Sequence, residues 1–353
     1  MSVVNLFSPN WHPADSYGRI ARELASGFET LGIYVNCFGD DAPLKPLKPC
    51  VGGIFLGYPT MHEEFIEMFP LAGHGHRIAI TMFESTKLPD KWAEALNQCD
   101  HVIVSARFLV DVFRSSGVGA PISVIPLGMS EAYTKAVTRR NTTDPFTFLA
   151  IADRALRKNW DKVLYAFVRA FGDSEKYKLI LKRRGQPARF TNPNISFISE
   201  DYSDEEMAEL YHRCHAMVFP SSGEGFGLPP REFAATGGVS LVANWGGLAD
   251  DIHQWGIPLP VLMGDAWREK DEWYGELGQW ADIDIDLLAE QMKYIADNFD
   301  SYRDFGIRAG GFVRSHYRWQ TFCNRVHEIW SNSITIKEES DANHFDRTEI
   351  VAS

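Results

Sequence analysis

Two glutamates flank a glycine-rich turn in the second half of the chain. In the stretch SSGEGFGLPPREFAA, Glu224 lies among alternating glycines and Glu232 follows two prolines. The apolar run before it, AMVFP, predicts a strand, and the prolines favour a helix start, where a missing N–H costs little. Backbone N–H groups of a glycine turn, beside the positive end of a helix, suit an anion such as phosphate. We therefore expect an anion-binding turn, with Glu224 in the loop and Glu232 in the first turn of the helix.

A purely structural turn explains the same local pattern equally well. In that interpretation Glu232 stabilises the helix dipole and Glu224 is solvated. The dinucleotide fingerprint G-x-G-x-x-G fits poorly, because its third glycine falls at Leu228. Taken locally, the stretch leaves phosphate binding and a structural turn open.

The elements that must position these glutamates alternate between short apolar runs and amphipathic helical segments. Alternation of this kind predicts right-handed βαβ units and parallel sheets. Two successive series predict an α/β chain with two doubly wound domains that face each other across a cleft, where ligands bind at the carboxyl ends of strands. The predicted strands are 3–7, 33–38, 53–57, 77–81, 101–104 and 122–125, then 146–151, 178–181, 195–198, 216–219 and 239–243.

A polar stretch rich in loop formers separates the two series. We expect a first domain over 1–137, a linker over 138–145 and a second domain over 146–318. A helical segment follows over 319–336. The polar, aperiodic tail over 337–353 is expected to be disordered.

The composition is that of a globular protein, with 45% hydrophobic and 23% charged residues. A net charge of -12 argues against binding nucleic acid over a broad face. The five cysteines form no C-x-x-C pair, which favours a reduced compartment without a disulfide framework. No signal peptide or window of ~20 apolar residues is apparent. We expect a cytoplasmic protein, with peripheral membrane contact left open.

Metal binding is not expected. His62, His74 and His76 lack a third ligand at suitable spacing and are interpreted as loop histidines. The D-x-D pattern of Asp282 and Asp284 directly precedes a helical segment, so helix capping explains it better than a divalent ion does.

Several ordered motifs together resemble those of retaining GT-B glycosyltransferases, in particular glycosyltransferase family 4. The resemblance covers residues 3–334 and implies the GT-B fold, with two Rossmann-like domains facing across a cleft and a C-terminal helix that crosses back to the first domain. Its motifs are the glycine loop and helix SYGRIAREL (16–24), the interdomain segment VIPLG (124–128), the basic motif RKN (157–159), the E-x7-E element EGFGLPPRE (224–232) followed by NWGGLAD (244–250), and a helix that begins at Trp319.

The resemblance implies transfer of a hexose-type sugar from a nucleoside-diphosphate sugar, such as a UDP- or GDP-sugar, to an acceptor hydroxyl. A glycan or lipid-linked glycan is the implied acceptor. The configuration at the sugar would be retained by front-face attack, in which the departing phosphate accepts the proton. No cofactor, metal or protein nucleophile is implied.

The same resemblance assigns roles to individual residues. Glu224 would contact the donor sugar near the reacting face, and Glu232 would hold the ribose hydroxyls. Lys158, as a cation on the leaving diphosphate, would stabilise charge that develops in a closed cleft. The remaining implied donor contacts are Gly18, Arg157 or Arg154 beside Lys158, and the backbone of Gly225, Phe226, Gly227 and Leu228.

The chain departs from the family pattern at Ala152, where relatives usually carry a basic residue. Arg154 and Arg157 are both candidates to replace it, and a solvated helix start is the alternative interpretation of these cations. Glu84, in TMFESTKLP, is a candidate contact for acceptor or donor, or equally a cap for the helix after Pro89. Tyr17, beside Gly18, is a second cleft candidate.

The sequence is compatible with three other functions. One is a phage-type glycosyltransferase acting on a modified DNA base, which the acidic charge disfavours. Another is a catalytically silent module that binds nucleotide sugars. A third is a sugar-phosphate epimerase of the same fold, for which no histidine lies at a clearly matching position.

Overall fold

The computed structural model describes residues 2–13, 15–68, 75–135, 145–153, 155–185, 190–266 and 276–332. Its first six strands form one wholly parallel sheet in the order β2-β1-β3-β4-β5-β6. These strands are β1 Val3–Asn10, β2 Tyr34–Asp40, β3 Gly53–Leu56, β4 Arg77–Ile80, β5 His101–Val104 and β6 Ile122–Val124. The helices of this half are α1 Ser16–Thr30, α2 His62–Met68, α3 Asp90–Leu96, α4 Phe108–Ser115 and α5 Glu131–Thr134.

The second half repeats the architecture, with a parallel sheet in the order β12-β11-β10-β7-β8-β9. Its strands are β7 Phe146–Ala152, β8 Tyr177–Arg183, β9 Ile195–Ile198, β10 Ala216–Phe219, β11 Val239–Ala243 and β12 Ile257–Leu259. The antiparallel pair β13 Leu262–Asp265 and β14 Gln279–Asp282 follows. The helices are α6 Trp160–Phe171, α7 Asp204–Arg213, α8 Leu228–Ala235, α9 Ile252–Trp255, α10 Ile285–Asp297, α11 Phe299–His316 and α12 over 319–332.

The apolar runs predicted the sheets correctly because the central strands are buried along their whole length. Every residue of β10 and β11 is buried, as expected for parallel strands covered by helices on both faces. The predicted strands are therefore confirmed in both halves. The predicted linker, apart from Pro145, and the predicted tail lie outside the described residues, so the domain bounds stay a prediction.

The last part of the chain that the structure describes packs against the first half. The N–H of Met129 donates to the carbonyl of Tyr317 at 3.0 Å, just before α12 begins. Cys323 of α12 contacts α1 at Gly27, where a Cβ atom would lie 2.3 Å from the Cys323 sulfur. Because only glycine leaves this space, α1 and α12 approach closely.

Candidate active site

A cavity of about 390 Å³ lies between the two halves and is lined by residues from both. The loops that follow β1, β4, β7 and β10 supply its walls, as expected at the carboxyl ends of parallel strands. The predicted site residues that line it are Tyr17, Glu84, Arg157, Lys158, Glu224, Gly225, Phe226, Gly227, Leu228 and Glu232.

Two of the predicted donor contacts are not among the residues that line this cavity in the described part of the chain. Arg154 lies outside the described residues. Gly18 is buried, and a Cβ atom there would lie 2.2 Å from the carbonyl oxygen of His12, so packing within the first half already requires glycine. A larger cavity of about 860 Å³ opens between α1, α5, α11 and α12, but all predicted site residues that the structure describes, apart from Gly18, line the smaller one.

The glycine turn leads directly into α8. Gly227 adopts a left-handed conformation, with φ of 84°, and α8 begins at Leu228 with a proline in its first turn. Glu232 is consequently in the second turn, and the prediction that it lies in the first turn was wrong. The helix starts earlier than the prolines suggested because the left-handed glycine already ends the loop.

The glycines of this turn have separate structural reasons. A Cβ atom on Gly223 would lie 1.9 Å from the carbonyl oxygen of Glu84, and one on Gly225 would lie 2.5 Å from the Cβ of Met82. Both glycines therefore make room for the first half, whereas Gly227 supplies the positive φ. The turn thus serves close approach of the two halves as well as the entry into α8.

Glu224 is paired with two cations. Its Oε1 lies 2.5 Å from Lys158 Nζ and 3.1 Å from Arg157 Nη1, and the residue is 7% exposed. Burial acts to raise the pKa of Glu224, but the charges of Lys158 and Arg157 outweigh it and hold the pKa of this carboxyl below its usual range. Glu224 is therefore ionised at neutral pH and is not a solvated side chain.

Arg157 connects the two halves of the chain. Its Nη1 donates to the carbonyl of Gly223 at 2.6 Å, and its Nη2 contacts Glu84 Oε1 at 3.1 Å. The side chains of Arg157 and Lys158 are only 15% and 11% exposed, so the solvated interpretation of both was wrong. Glu84 does not cap α3 either, because that helix has no side-chain cap.

The RKN motif is held by its asparagine. Residues Leu156–Lys158 form a short 3-10 helix, and Asn159 takes a left-handed φ of 50° before α6 begins at Trp160. The Asn159 amide donates to the carbonyl of Pro220 at 2.8 Å and to Ser222 Oγ at 2.9 Å. Asn159 thus fixes the two basic residues before it against the glycine turn, ahead of the start of α6.

Glu232 contacts residues of both halves of the chain. Its Oε1 lies 2.7 Å from Arg19 Nη1, and its Oε2 accepts a hydrogen bond from the Tyr211 hydroxyl at 2.9 Å. Burial raises the pKa of Glu232, and the contacts with Arg19 and Tyr211 offset only part of this rise. Arg19 also contacts Asp204 at 2.6 Å, which in turn accepts from the Tyr133 hydroxyl at 2.8 Å.

Tyr17 and Glu84 belong to the wall of the cavity that the first half supplies. The Tyr17 ring packs against the edge of Tyr58, with centroids 5.7 Å apart. Burial, together with the nearby Tyr58 and Glu84, raises the pKa of Tyr17 above its ordinary value, so its hydroxyl stays protonated. This wall thus offers an aromatic surface and a carboxylate.

Comparison with known proteins identifies the architecture. Residues 138–256 match the model of the family described as Glycosyl transferases group 1. Sucrose-phosphate synthase from Thermosynechococcus elongatus superposes with a TM-score of 0.70, at 14% identity, over 94% of this chain and 99% of that one. WaaG, a glycosyltransferase involved in lipopolysaccharide biosynthesis, gives 0.62 at 12% identity, over 92% and 99%.

The fold is GT-B.

A third solved structure with this architecture is HepE from Anabaena, in complex with UDP and glucose, with a TM-score of 0.62, 13% identity and coverage of 94% and 99%. A sequence relative is the serotype-specific mannosyltransferase WbdA of Escherichia coli, which is 28% identical over 144 residues. That match covers 37% of this GT-B chain and only 17% of the relative's length.

The sequence prediction missed several polar residues of this GT-B cleft, including a cluster of four around Glu232. Arg19, Tyr133, Asp204 and Tyr211 all line the cavity or bond to its residues. A signal was present for Arg19 alone, since it directly follows the glycine of the SYGRIAREL motif. The other three carry no local pattern, because the packing of α5 against α7 and α8 creates the cluster.

Two of the residues considered for metal binding have structural explanations. Asp284 caps α10 by accepting from the N–H groups of Asp286 and Leu287, which confirms that prediction. His62 is not in a loop, since it opens α2 against the Phe55 ring, and burial lowers its pKa to about 3. His74 lies outside the described residues. Within the described part of the chain, no group of three potential ligands is close enough to hold a metal ion, and no helix is long and apolar enough to cross a membrane.

Proposed function

We propose that this chain is a retaining, metal-independent glycosyltransferase that moves a hexose-type sugar from a nucleoside-diphosphate sugar to an acceptor hydroxyl. One observation carries the proposal: a buried carboxylate, two cations and a glycine turn at a helix start line one cavity between the halves of a GT-B fold. The family match over residues 138–256 includes all of these groups.

The proposed reaction needs stabilisation of negative charge more than it needs acid–base groups. As the bond between the anomeric carbon and the phosphate oxygen breaks, charge builds on the diphosphate. Lys158, Arg157 and the N–H groups at the start of α8 are fixed before the reaction begins, so they stabilise that charge without reorganising. The acceptor oxygen attacks the same face, and its proton passes to the departing phosphate oxygen.

The two glutamates have different tasks in this proposal. Ionised Glu224 accepts hydrogen bonds from hydroxyls of the donor sugar and holds the cations beside the phosphate. Glu232 accepts from the ribose hydroxyls, because a carboxylate has more acceptor positions than its contacts with Arg19 and Tyr211 use. The wall of Tyr17 and Glu84 receives the acceptor, for which a glycan or lipid-linked glycan is proposed.

Binding and hydrolysis of UDP-, GDP- and ADP-sugars by the wild type and Glu224→Ala test this function. Mannose donors come first because of the partial likeness to a mannosyltransferase. We expect one donor to bind and to be turned over, with turnover at least ~100-fold lower in Glu224→Ala. Glu290→Ala, an exposed carboxylate on α10, is the matched control and should retain wild-type rates.

The screen also separates the alternatives. Binding without turnover in the presence of glycan acceptors would indicate a silent module, and turnover only with a DNA duplex carrying a hydroxymethylated base would indicate a DNA-modifying enzyme. If no nucleotide sugar binds, or if Glu224→Ala is as active as the wild type, the proposed site is wrong.

A further inference from the structure

Arg231 is a fully buried cation that the proposed reaction does not use. It lies on α8 between the two glutamates and is 0% exposed. Its guanidinium lies over the rings of Phe226 and Trp255, at 4.1 and 4.3 Å from their centroids, and 5.2 Å from that of Tyr317. A buried charge is costly unless it is fully hydrogen-bonded, and an apolar side chain would fill this space at lower cost. The guanidinium therefore has a role that packing alone does not explain.

The hydrogen bonds of Arg231 indicate that role, because backbone carbonyls accept them. Nη1 donates to the carbonyls of Phe226 and Gly227, the latter at 3.3 Å. Nη2 donates to the carbonyl of Gly247 at 2.7 Å and weakly to that of Asp250 at 3.4 Å. One planar donor group thus holds both the glycine turn before α8 and the turn over 246–250.

Holding a carbonyl also directs the N–H of the same peptide. In a trans peptide the C=O of one residue and the N–H of the next point in opposite directions. Since the Phe226 and Gly227 carbonyls point to buried Arg231, the N–H groups of Gly227 and Leu228 point away from it, and both residues line the cavity. Leu228 is the first residue of α8, where an N–H has no partner within the helix.

The turn over 246–250 supports the glycine turn before α8 by direct contact. The N–H of Gly247 donates to the carbonyl of Glu224 at 2.9 Å, which fixes the peptide that carries the N–H of Gly225. A Cβ atom on Gly247 would lie 2.4 Å from the carbonyl oxygen of Gly225, so the two turns are in close contact. Because Arg231 holds the Gly247 carbonyl, it fixes this contact as well.

We propose that Arg231 is a positioning residue that directs the N–H groups of Gly227 and Leu228 toward the diphosphate of the donor. This inference rests on the proposed function. It implies that Arg231 contributes to binding of the diphosphate. The nucleoside, whose ribose is proposed to bind Glu232, should not depend on Arg231. A purely structural residue would affect both alike.

The affinities of the diphosphate and the nucleoside, measured by calorimetry, test this inference. The probe pairs are UDP with uridine and GDP with guanosine, and the variants are Arg231→Lys and Arg231→Met. We expect the ratio of diphosphate to nucleoside affinity to fall about tenfold or more, because the N–H groups of Gly227 and Leu228 then lose their hydrogen bonds to the charged diphosphate. The affinity for the nucleoside should change less than about twofold. Arg308→Met, an exposed arginine on α11, is the matched control.

The outcomes separate this inference from the function on which it rests. If the wild type binds neither pair and none of the nucleotide sugars in the donor screen, the proposed function fails. If the wild type prefers the diphosphate and folded Arg231 variants keep that preference, or lose both affinities together, only the role of Arg231 is wrong. If circular dichroism shows that Arg231→Met does not fold, the affinities of Arg231→Lys test the inference. This variant keeps the buried charge but lacks the planar fork of donors.

Discussion

The guanidinium of Arg19 in α1 contacts the carboxylate of Glu232 in α8 across the cleft, with Nη1 2.7 Å from Oε1. The same guanidinium contacts Asp204 in α7 at 2.6 Å. The first half of the chain therefore holds the glutamate that is proposed to bind ribose. Glu232 therefore takes part both in the contact between the two halves and in the proposed binding of the donor.

Removal of Arg19 should weaken catalysis and change its pH dependence. In Arg19→Ala, Glu232 keeps its burial but loses a positive neighbour, so the pKa of this carboxyl rises further. We expect kcat/KM for the donor to fall at least about tenfold, from the loss of a partly buried ion pair, and the acidic limb of the pH–rate profile to move to higher pH. Initial rates from pH 5 to 9 measure both, with exposed Arg325→Ala as the control. A profile that keeps its acidic limb in place would contradict the link between Arg19 and Glu232.

Lys158 should matter more for turnover than for nucleoside binding. Its Nζ lies 2.5 Å from Glu224, so Lys158→Met removes a cation proposed to stabilise the leaving diphosphate and also raises the pKa of Glu224. We expect kcat to fall about 100-fold or more. Steady-state kinetics of this variant and of Lys293→Met, an exposed lysine on α10, provide the comparison. Equal kcat in the two variants would mean that Lys158 does not act on the leaving group.

The sequence predicts the sheets well for a physical reason. Parallel strands buried on both faces are continuous apolar runs, so AMVF of β10 stands out without any tertiary information. The edge strand β12 was missed because Pro258 interrupts it, and proline is tolerated only where a ladder hydrogen bond is not needed. The strand β13 was missed because Leu262 and Met263 are exposed and carry no burial pattern.

The sequence also predicts which loops carry the site but not how its side chains pair. The spacing of Glu224 and Glu232 is local and visible, whereas the contact of Arg157 with Glu84 depends on how the halves pack. Gly223 and Gly225 illustrate the same limit. The residues that require them to be glycine, Glu84 and Met82, are far away in the chain.

The two glutamates should affect stability in opposite directions. The pKa of Glu224 is lowered in the folded state, so its charge stabilises the fold above the unfolded pKa, and this contribution is lost as pH falls through the folded pKa. The pKa of Glu232 is raised, so its ionisation destabilises the fold as pH rises above the unfolded pKa. At pH 7.5, Glu224→Gln should lower Tm by about 2–4 °C or more, a deficit that shrinks toward pH 4, whereas Glu232→Gln should not lower Tm. Melting curves at pH 7.5 and pH 4 test both expectations. A decrease in Tm of Glu224→Gln that is independent of pH would argue against the ionised state of Glu224.

Chelation should leave the reaction unaffected. The cations near the proposed diphosphate position are Lys158 and Arg157, and the described residues contain no cluster suited to a metal ion. We expect equal donor turnover with and without millimolar EDTA. Activity that disappears in EDTA and returns with Mg²⁺ or Mn²⁺ would overturn the metal-independent mechanism.

Gly223→Ala should separate donor binding from cleft closure. The new Cβ atom would lie 1.9 Å from the carbonyl oxygen of Glu84, so the first half cannot approach the glycine turn as it does in the structure. The groups proposed to hold the nucleoside diphosphate belong mainly to the second half, so we expect UDP or GDP affinity to change less than about tenfold while kcat falls more than about 100-fold. Gly311→Ala in α11, where a Cβ atom meets nothing within 4 Å, is the matched control and should be as active as the wild type and about 0.5–1 kcal/mol more stable. Normal turnover in Gly223→Ala would mean that the contact with Glu84 is not part of the reactive state.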